Sequence, residues 1–161
     1  MTRDYDGPMS QLSIRAATPD DEASLLKLSE RMANFAVPPW RSADEITQAD
    51  GRSMVSAVTL AHPDSEVFIA EQDGEVAGCL HMLVARDFFG RRHGHISVIA
   101  VSDKAEGTGA GRVLMAYAER WARVRELPMI TLNVFASNTR ARRLYERAGF
   151  EVELLKYAKP L

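Results

Sequence analysis

The stretch AEGTGAGRVLM (residues 105–115) places three glycines at alternate positions directly before a run with helical spacing. The segment that precedes it, HISVIAV (residues 95–101), is β-branched and nearly all apolar, as a central strand of a sheet should be. Glycines at such a junction satisfy the geometry of a tight turn. They also leave the main-chain amides at a helix N-terminus open to a phosphate group. The spacing alone leaves both interpretations open.

Glycine spacing separates this stretch from two common nucleotide-binding motifs. A P-loop ends in Gly-Lys-Ser/Thr, whereas here Gly111 is followed by Arg112 and Val113. A dinucleotide fingerprint reads G-x-G-x-x-G and is followed about 20 residues later by an acid. This run reads G-x-G-x-G, and residues 129–134 are MITLNV. The first motif is excluded and the second is disfavoured, which leaves either a general anion site between a strand and a helix or a connection whose glycines only meet turn geometry.

Composition bounds the class of protein. A chain of 161 residues with 46% hydrophobic and 26% charged residues predicts one globular domain over residues 11–161, after a flexible tail of residues 1–10. The net charge of -2 gives no global reason to expect binding to nucleic acid or to an anionic membrane. The chain lacks a long apolar run and a signal-peptide pattern, and Cys79 is its only cysteine. These features predict a cytoplasmic protein without an intramolecular disulfide.

Hydrophobic periodicity predicts a mixed arrangement of strands and helices, with an interruption of the second helix near Gly51. The predicted strands cover residues 11–16, 67–71, 75–85, 95–101, 129–135 and 150–157, and the predicted helices cover residues 18–34, 42–60, 112–125 and 138–148. The strand, helix and strand between residues 95 and 135 imply a parallel pair. The predicted fold class is therefore α/β with a mixed sheet.

Two motifs in this chain resemble the signatures of the GNAT superfamily, the acetyltransferases that use acetyl-coenzyme A. The family pattern Q/R-x-x-G-x-G/A corresponds to residues 106–111, EGTGAG, and the pattern Asn…Leu-Tyr-x-x-x-Gly-Phe corresponds to Asn138, Leu144, Tyr145, Gly149 and Phe150. The resemblance implies a central mixed sheet flanked by about four helices. It also implies an N-acetyltransferase that transfers an acetyl group from acetyl-CoA directly to a primary amine.

One departure from the family pattern concerns the first position, where Glu106 replaces Gln or Arg. Because main-chain amides do most of the holding at such a loop, we expect the Glu106 side chain to point away from the diphosphate.

The resemblance also implies a set of cofactor-binding residues. Main-chain groups of Ile99, Ala100 and Val101 would contact the pantetheine arm, and one of their amides would polarise the acetyl carbonyl. The diphosphate would be held by the main-chain amides of Gly107, Thr108, Gly109, Ala110, Gly111 and Arg112. Asn138 would contact the pantetheine arm, act as the N-cap of the last helix, or do both.

Two residues are candidates for proton transfer. Tyr145 matches the family's general acid, although helical spacing alone would also place it in the core. His95 is the candidate base, with Ser97 positioning a water, but it could equally be a strand-edge residue. Glu66 and Asp87 are weaker candidates, and a water chain without a dedicated base is a further alternative. The spacing of His62, His81 and His93 does not suggest a metal site.

The sequence gives less information about where the amine that accepts the acetyl group binds. The resemblance implies a groove shaped by residues 35–41 and 87–93, where Trp40, Phe88 and Phe89 could line a pocket, form a dimer interface or anchor the core. Arg140 could meet the 3′-phosphate of the cofactor or remain solvated. The leading hypothesis is a small-molecule amine acetyltransferase, and a homodimer is compatible with the family. Alternatives are a protein N-terminal or lysine acetyltransferase and a catalytically silent coenzyme-A sensor.

Overall fold

The computed structural model describes residues 12–161, which contain a five-stranded sheet in the order β1-β2-β3-β4-β5. The strands are β1 (Leu12–Ala16), β2 (Ser65–Gln72), β3 (Glu75–Arg86), β4 (Arg92–Val101) and β5 (Ile130–Leu132). Neighbours from β1 to β4 are antiparallel, whereas β4 and β5 are parallel. The predicted mixed sheet is confirmed, and the tail predicted for residues 1–10 lies outside the described residues, as does Gln11.

Four α-helices accompany the sheet: α1 (Glu22–Ser29), α2 (Ala43–Leu60), α3 (Ala110–Val124) and α4 (Thr139–Arg147). A short 3-10 turn at Glu30–Ala33 extends α1, and another at Asp103–Ala105 follows β4. None of the helices within the described part of the chain combines the length and the hydropathy needed to cross a bilayer.

Local signals in the sequence explain where α2 begins and why it is continuous. The hydroxyl of Ser42 accepts from the Glu45 amide at 3.0 Å, and the Glu45 carboxylate accepts from the Ser42 amide at 2.8 Å. The predicted interruption near Gly51 is wrong, because α2 runs through this residue to Leu60. A Cβ at Gly51 would lie 3.0 Å from the side chains of Leu26 and Ser29. This glycine therefore permits close packing of α2 on α1.

The sheet is covered on both faces by apolar side chains. On one face, α3 contributes Leu114, Ala118 and Trp121 to a cluster that includes Leu80 and Met82. On the other face, a second cluster joins α1 and α2 to the sheet through Leu25, Met54, Ile69, Cys79 and Val98. Since β3 and β4 contribute to both clusters, the middle of the sheet is held from both sides.

The C-terminal end differs from the prediction. Residues 150–157 were expected to form one or two strands, but no strand follows β5 in the described residues, and β5 itself covers only residues 130–132. The side chains of Val152, Leu154 and Tyr157 are exposed. The alternating pattern of this segment is typical of a strand, but strand formation requires a paired edge, which local sequence does not supply.

Candidate active site

The central feature of the site is an edge of β4 that β5 does not cover. β5 pairs with β4 only at Gly94, His95 and Ile96, whereas β4 continues to Val101. The register with β3 shifts here, because His81 faces Val98 and Met82 faces Ile96. Ser97 is therefore an additional residue in β4, a bulge of the kind that bends a strand and ends its pairing.

The main chain of Ile99, Ala100 and Val101 is supported from β3 alone. These residues pair with Leu80, Cys79 and Gly78, respectively. In an antiparallel pair only alternate residues direct their main-chain groups to the partner strand, so the remaining groups point to the side that β5 has left. The Val101 carbonyl also accepts from Arg31 Nε at 3.3 Å. The structure thus leaves polar main-chain groups available along the end of β4.

Gly78 determines how closely β3 can approach residues 99–101 of β4. A Cβ at Gly78 would lie 2.5 Å from the Ala100 carbonyl oxygen, a distance that real Cβ atoms do not tolerate. The absence of a side chain therefore allows β3 to approach the part of β4 that carries the open edge.

The glycine-containing segment of residues 106–111, called the glycine loop below, follows shortly after the end of β4. Gly107 and Gly109 have φ angles of +76° and +94°. Residues with a side chain rarely adopt such angles, so both positions require glycine. A Cβ at either position would meet nothing within 4 Å, so open space lies beside the main chain. A Cβ at Gly111 would lie 3.5 Å from Val101 Cγ2, which places the start of α3 against the end of β4.

The first turn of α3 has the chemistry that an anion requires. The helix begins at Ala110, and its N-cap residue, Gly109, supplies no side chain to the free amides. The amides of Ala110, Gly111 and Arg112 therefore have no acceptor within the helix. Thr108 differs, because both its amide and its hydroxyl donate to the Ala105 carbonyl, at 3.3 and 2.8 Å. The Thr108 amide, which was expected among the donors to the diphosphate, is thus already engaged, unlike the amides of the first turn of α3.

Tyr145 lies on α4 in a half-buried position, where its ring packs at 6.0 Å from that of Phe150. Within residues 12–161, the contacts of the Tyr145 side chain are with rings and apolar groups and include no hydrogen bond to its hydroxyl. Burial raises the pKa of Tyr145 above its usual range, so the phenol retains its proton at neutral pH. A neutral hydroxyl without a protein partner is available as a proton donor.

Asn138 caps the helix that carries Tyr145. Its side-chain oxygen accepts from the Ala141 amide at 3.2 Å, so the expected N-cap role is observed. The side-chain NH2 group of Asn138 remains a donor for a second contact.

His95 lies in the short paired part of β4 and β5. Its Nδ1 atom is 2.8 Å from the Thr131 hydroxyl on β5. Burial lowers the pKa of His95, and the neighbouring His93 lowers it further, which favours the neutral imidazole. A neutral imidazole beside the bulge can accept a proton.

His81 is a buried residue that sequence reasoning considered only as a metal ligand. It is 1% exposed, and its Nε2 atom is 3.0 Å from the Ser65 hydroxyl. Its Nδ1 atom has no hydrogen-bond partner within the described chain. Burial, with a smaller effect from His95, lowers the pKa of His81 to about 4. The described residues contain no set of His, Cys, Asp or Glu side chains that could hold a metal ion.

The two weaker base candidates have structural partners. Glu66 accepts from Trp121 Nε1 at 2.6 Å and also pairs with Arg125. The Asp87 carboxylate accepts from the amides of Phe89 and Arg91, both at 2.9 Å, and so shapes the tip of the β3–β4 hairpin. These contacts give both carboxylates a role in the fold.

The aromatic residues expected near the acceptor are exposed. Trp40 is 47% exposed, which contradicts its interpretation as a core anchor. Phe88 and Phe89 stack on each other at the hairpin tip, with ring centroids 4.2 Å apart, and both are largely exposed. A cleft of about 640 Å³ lies elsewhere, between the end of α1, the start of α2 and Asp103. Its lining includes Glu30, Arg31, Asp44 and Asp103.

Glu106 pairs with two arginines instead of projecting freely. One is Arg140 on α4, at 3.0 Å, and the other is Arg31, which also pairs with Asp103. Arg140 is thus neither simply solvated nor free. Sequence reasoning did not identify Arg31, because it lies 75 positions from Glu106 along the chain.

Residues 27–150 match the family model described as Acetyltransferase (GNAT) family. These residues span more than half of the chain and contain the open edge of β4, the glycine loop and Tyr145. The protein therefore belongs to the acetyltransferase (GNAT) family.

Known proteins similar to this chain include a mycothiol acetyltransferase of Acidothermus cellulolyticus, 38% identical over 94 residues that cover 52% of this chain and 29% of that protein. The chain therefore spans less than a third of the length of this curated relative. A Pyrococcus furiosus protein described as an acetyl transferase matches with a TM-score of 0.74 and 25% identity, over 94% of this chain and 100% of that chain. An aminoglycoside N-acetyltransferase solved in complex with CoA shares the fold, with a TM-score of 0.67 and 19% identity, over 94% and 97% of the two chains.

We expect burial of His81 to make stability depend on pH. The unfolded chain protonates this histidine near pH 6.5, whereas the folded protein resists protonation down to about pH 4. Lowering the pH from 7 to 5 should therefore cost about 2 kcal/mol of unfolding free energy through this residue, measured by urea titration. The slope of the unfolding free energy against pH should therefore be smaller in the His81→Gln variant. It should be unchanged in His62→Gln, because His62 lies at an exposed site. Equal slopes in all three proteins would contradict the assignment to His81.

Proposed function

We propose that the protein transfers the acetyl group of acetyl-CoA directly to the primary amine of a small molecule. The observation that carries this proposal is the juxtaposition of an unpaired edge of β4 with an uncapped, glycine-lined helix N-terminus. An extended, amide-containing arm can bind along a strand edge, and its diphosphate can bind at the following helix.

Each half of the cofactor would be held by a different part of the main chain. Those main-chain groups of Ile99, Ala100 and Val101 that neither face β3 nor accept from Arg31 would bind the pantetheine arm, and the side-chain NH2 of Asn138 would add a donor. The amides of the glycine loop, residues 107 and 109–112, would hold the diphosphate. The Thr108 hydroxyl would stay with Ala105 and fix the loop's shape.

Acetyl-CoA supplies an activated thioester. In the transfer, the amine nitrogen forms a bond to the acetyl carbon and the carbon–sulfur bond breaks. Tyr145 would give its proton to the departing sulfur, because its hydroxyl is neutral and has no partner in the described chain. His95, which is neutral and oriented by Thr131, would accept the proton of the amine directly or through a water near Ser97.

The acceptor is a small amine in this proposal. The cleft is lined by three carboxylates, Glu30, Asp44 and Asp103, and by one cation, Arg31, which pairs with Asp103. The remaining negative charge would attract an ammonium group toward the end of β4. Relatives named mycothiol acetyltransferases favour a small-molecule acceptor over a protein. The single thiol of Cys79 is buried and unpaired, which supports work in a reducing compartment such as the cytoplasm.

A thiol-release screen with acetyl-CoA tests the function. The purified chain should release coenzyme A in the presence of small primary amines, and mass spectrometry should find one acetyl group added to the amine. Peptides with free N-termini or lysines are the control acceptors. Release with peptides alone would replace the proposal by a protein acetyltransferase, and binding of coenzyme A without release with any acceptor would favour a sensor.

We expect Tyr145→Phe to lower kcat on the order of a hundredfold with little change in the Kd for coenzyme A, because only the proton donor is lost. Steady-state kinetics and calorimetry measure the two constants. Tyr117→Phe is the matched control, since Tyr117 is also half-buried in the α3 cluster, against Phe68 at 4.8 Å. An unchanged kcat in Tyr145→Phe would remove this residue from the mechanism.

Gly109→Ala should weaken the binding of coenzyme A by at least about tenfold, because an L residue resists the φ of +94° and the free amides would turn. Gly90→Ala is the control, since Gly90 has a φ of +80° and equal space around a Cβ but lies at the hairpin tip. Both variants should lose about 1 kcal/mol of stability, and only Gly109→Ala should lose affinity in calorimetry. Similar affinity in the two variants would argue against the loop as the diphosphate site.

A further inference from the structure

Four charged side chains converge where β4 meets the glycine loop: Arg31, Asp103, Glu106 and Arg140. Arg31 comes from the turn after α1, Asp103 and Glu106 from the connection between β4 and α3, and Arg140 from the first turn of α4. The cluster therefore joins three separate parts of the fold at the proposed diphosphate site. Its formal charge is zero, because two arginines face two carboxylates.

Arg31 is the most firmly held member of this cluster. Its Nε atom donates to the Val101 carbonyl at 3.3 Å, while its two terminal nitrogens pair with Asp103 and Glu106. The side chain is only 21% exposed, in contrast to the nearby pair of Lys104 and Glu75, whose side chains are 82% and 70% exposed. Exposed pairs of that kind contribute little, whereas a shielded arginine with three acceptors has a defined orientation.

Glu106 is the carboxylate that both arginines share. It pairs with Arg31 from one side and with Arg140 from the other, at 3.0 Å. It also directly precedes Gly107, where an added Cβ would meet nothing within 4 Å. A carboxylate and a phosphate present similar oxygen acceptors to a guanidinium. Glu106 therefore occupies two cations that a diphosphate at the loop would otherwise attract.

We propose that Glu106 is a resident counter-ion that holds Arg31 and Arg140 beside the glycine loop until the diphosphate of the cofactor takes its place as their partner. This inference rests on the proposed diphosphate site. It assigns Arg31 and Arg140 as ligands of the diphosphate, and it assigns to Glu106 the opposite effect of lowering affinity. Asp103 remains paired with Arg31 and keeps that side chain at the end of β4.

The position of Arg31 supports the exchange of partners. Its contact with the Val101 carbonyl and its pair with Asp103 do not involve Glu106, so the guanidinium stays in place when Glu106 leaves. Arg140 is 76% exposed and can follow the ligand. Removing the Glu106 charge also removes repulsion between a carboxylate and the incoming diphosphate.

Calorimetry with three ligands tests the proposal: coenzyme A, dephospho-coenzyme A, which lacks the 3′-phosphate, and pantetheine, which lacks every phosphate. Glu106→Gln should bind coenzyme A about tenfold more tightly than the unmodified protein. Dephospho-coenzyme A should show the same gain, and pantetheine should show none. Glu75→Gln is the matched control, and its affinities should be unchanged, because Glu75 pairs with Lys104 away from Arg31.

A double-mutant cycle identifies the cations involved. Arg140→Gln should reduce the affinity for coenzyme A more in the Glu106→Gln protein than in the unmodified one. In the Glu106→Gln protein no carboxylate at position 106 competes with the ligand for Arg140, so the loss of Arg140 costs more affinity. Arg31→Lys should weaken the contact with the Val101 carbonyl, and it should weaken the binding of coenzyme A and of dephospho-coenzyme A to the same extent. Thermal melting confirms that each variant is folded. Changes that are additive across the cycle would overturn the exchange.

Other outcomes also decide the matter. An unchanged or weaker affinity in Glu106→Gln would show that Glu106 only shapes the loop, which overturns the proposal. A gain seen with coenzyme A but lost with dephospho-coenzyme A would move the contact to the 3′-phosphate and overturn the assignment to the diphosphate. If the unmodified protein bound none of the three ligands, the proposed cofactor site itself would fail.

Discussion

The rest of the site depends on the different lengths over which β4 is paired on its two sides. β3 pairs with β4 from Arg92 to Val101, whereas β5 pairs only from Gly94 to Ile96. A strand held on one side keeps its extended shape while its other side retains main-chain hydrogen-bonding capacity. The bulge at Ser97 ends the pairing, and apolar packing on both faces keeps the open segment rigid. The glycine loop then begins where this edge ends.

The fold could be predicted from the sequence wherever the signals are local. Strands β2, β3 and β4 follow apolar runs separated by a turn, and α3 follows a glycine-rich connection to an amphipathic pattern. The glycine spacing together with the pattern around Tyr145 predicted the family, which the family model confirms. The Asn138 cap was also predictable, since capping depends on residues within one turn.

Features that depend on distant partners could not be predicted in this way. The pair of Arg31 and Glu106 joins positions 75 residues apart, and no local pattern marks it. His81 is buried on the face of β3 that also carries Cys79 and that α1 and α2 cover, and its hydrogen-bond partner Ser65 lies on β2, so neither feature can be read from its own segment. Residues 150–157 have a strand-like pattern but no paired edge, so the prediction of strands there was wrong. In each case the missing information is which segments meet in space.

In the proposed exchange of partners, the acid at position 106 would affect binding rather than the chemical step. Acetyl-CoA and coenzyme A carry the same diphosphate, so a carboxylate that competes for Arg31 and Arg140 weakens substrate and product equally. Such uniform weakening raises KM and shortens the residence of the product, but it leaves the barrier of the bound substrate unchanged. The residues proposed to transfer protons, Tyr145 and His95, make their contacts with Phe150 and Thr131, outside the cluster of Arg31, Asp103, Glu106 and Arg140. The proposed roles thus separate control of cofactor residence, at the end of β4, from proton transfer, at α4 and the paired part of β4.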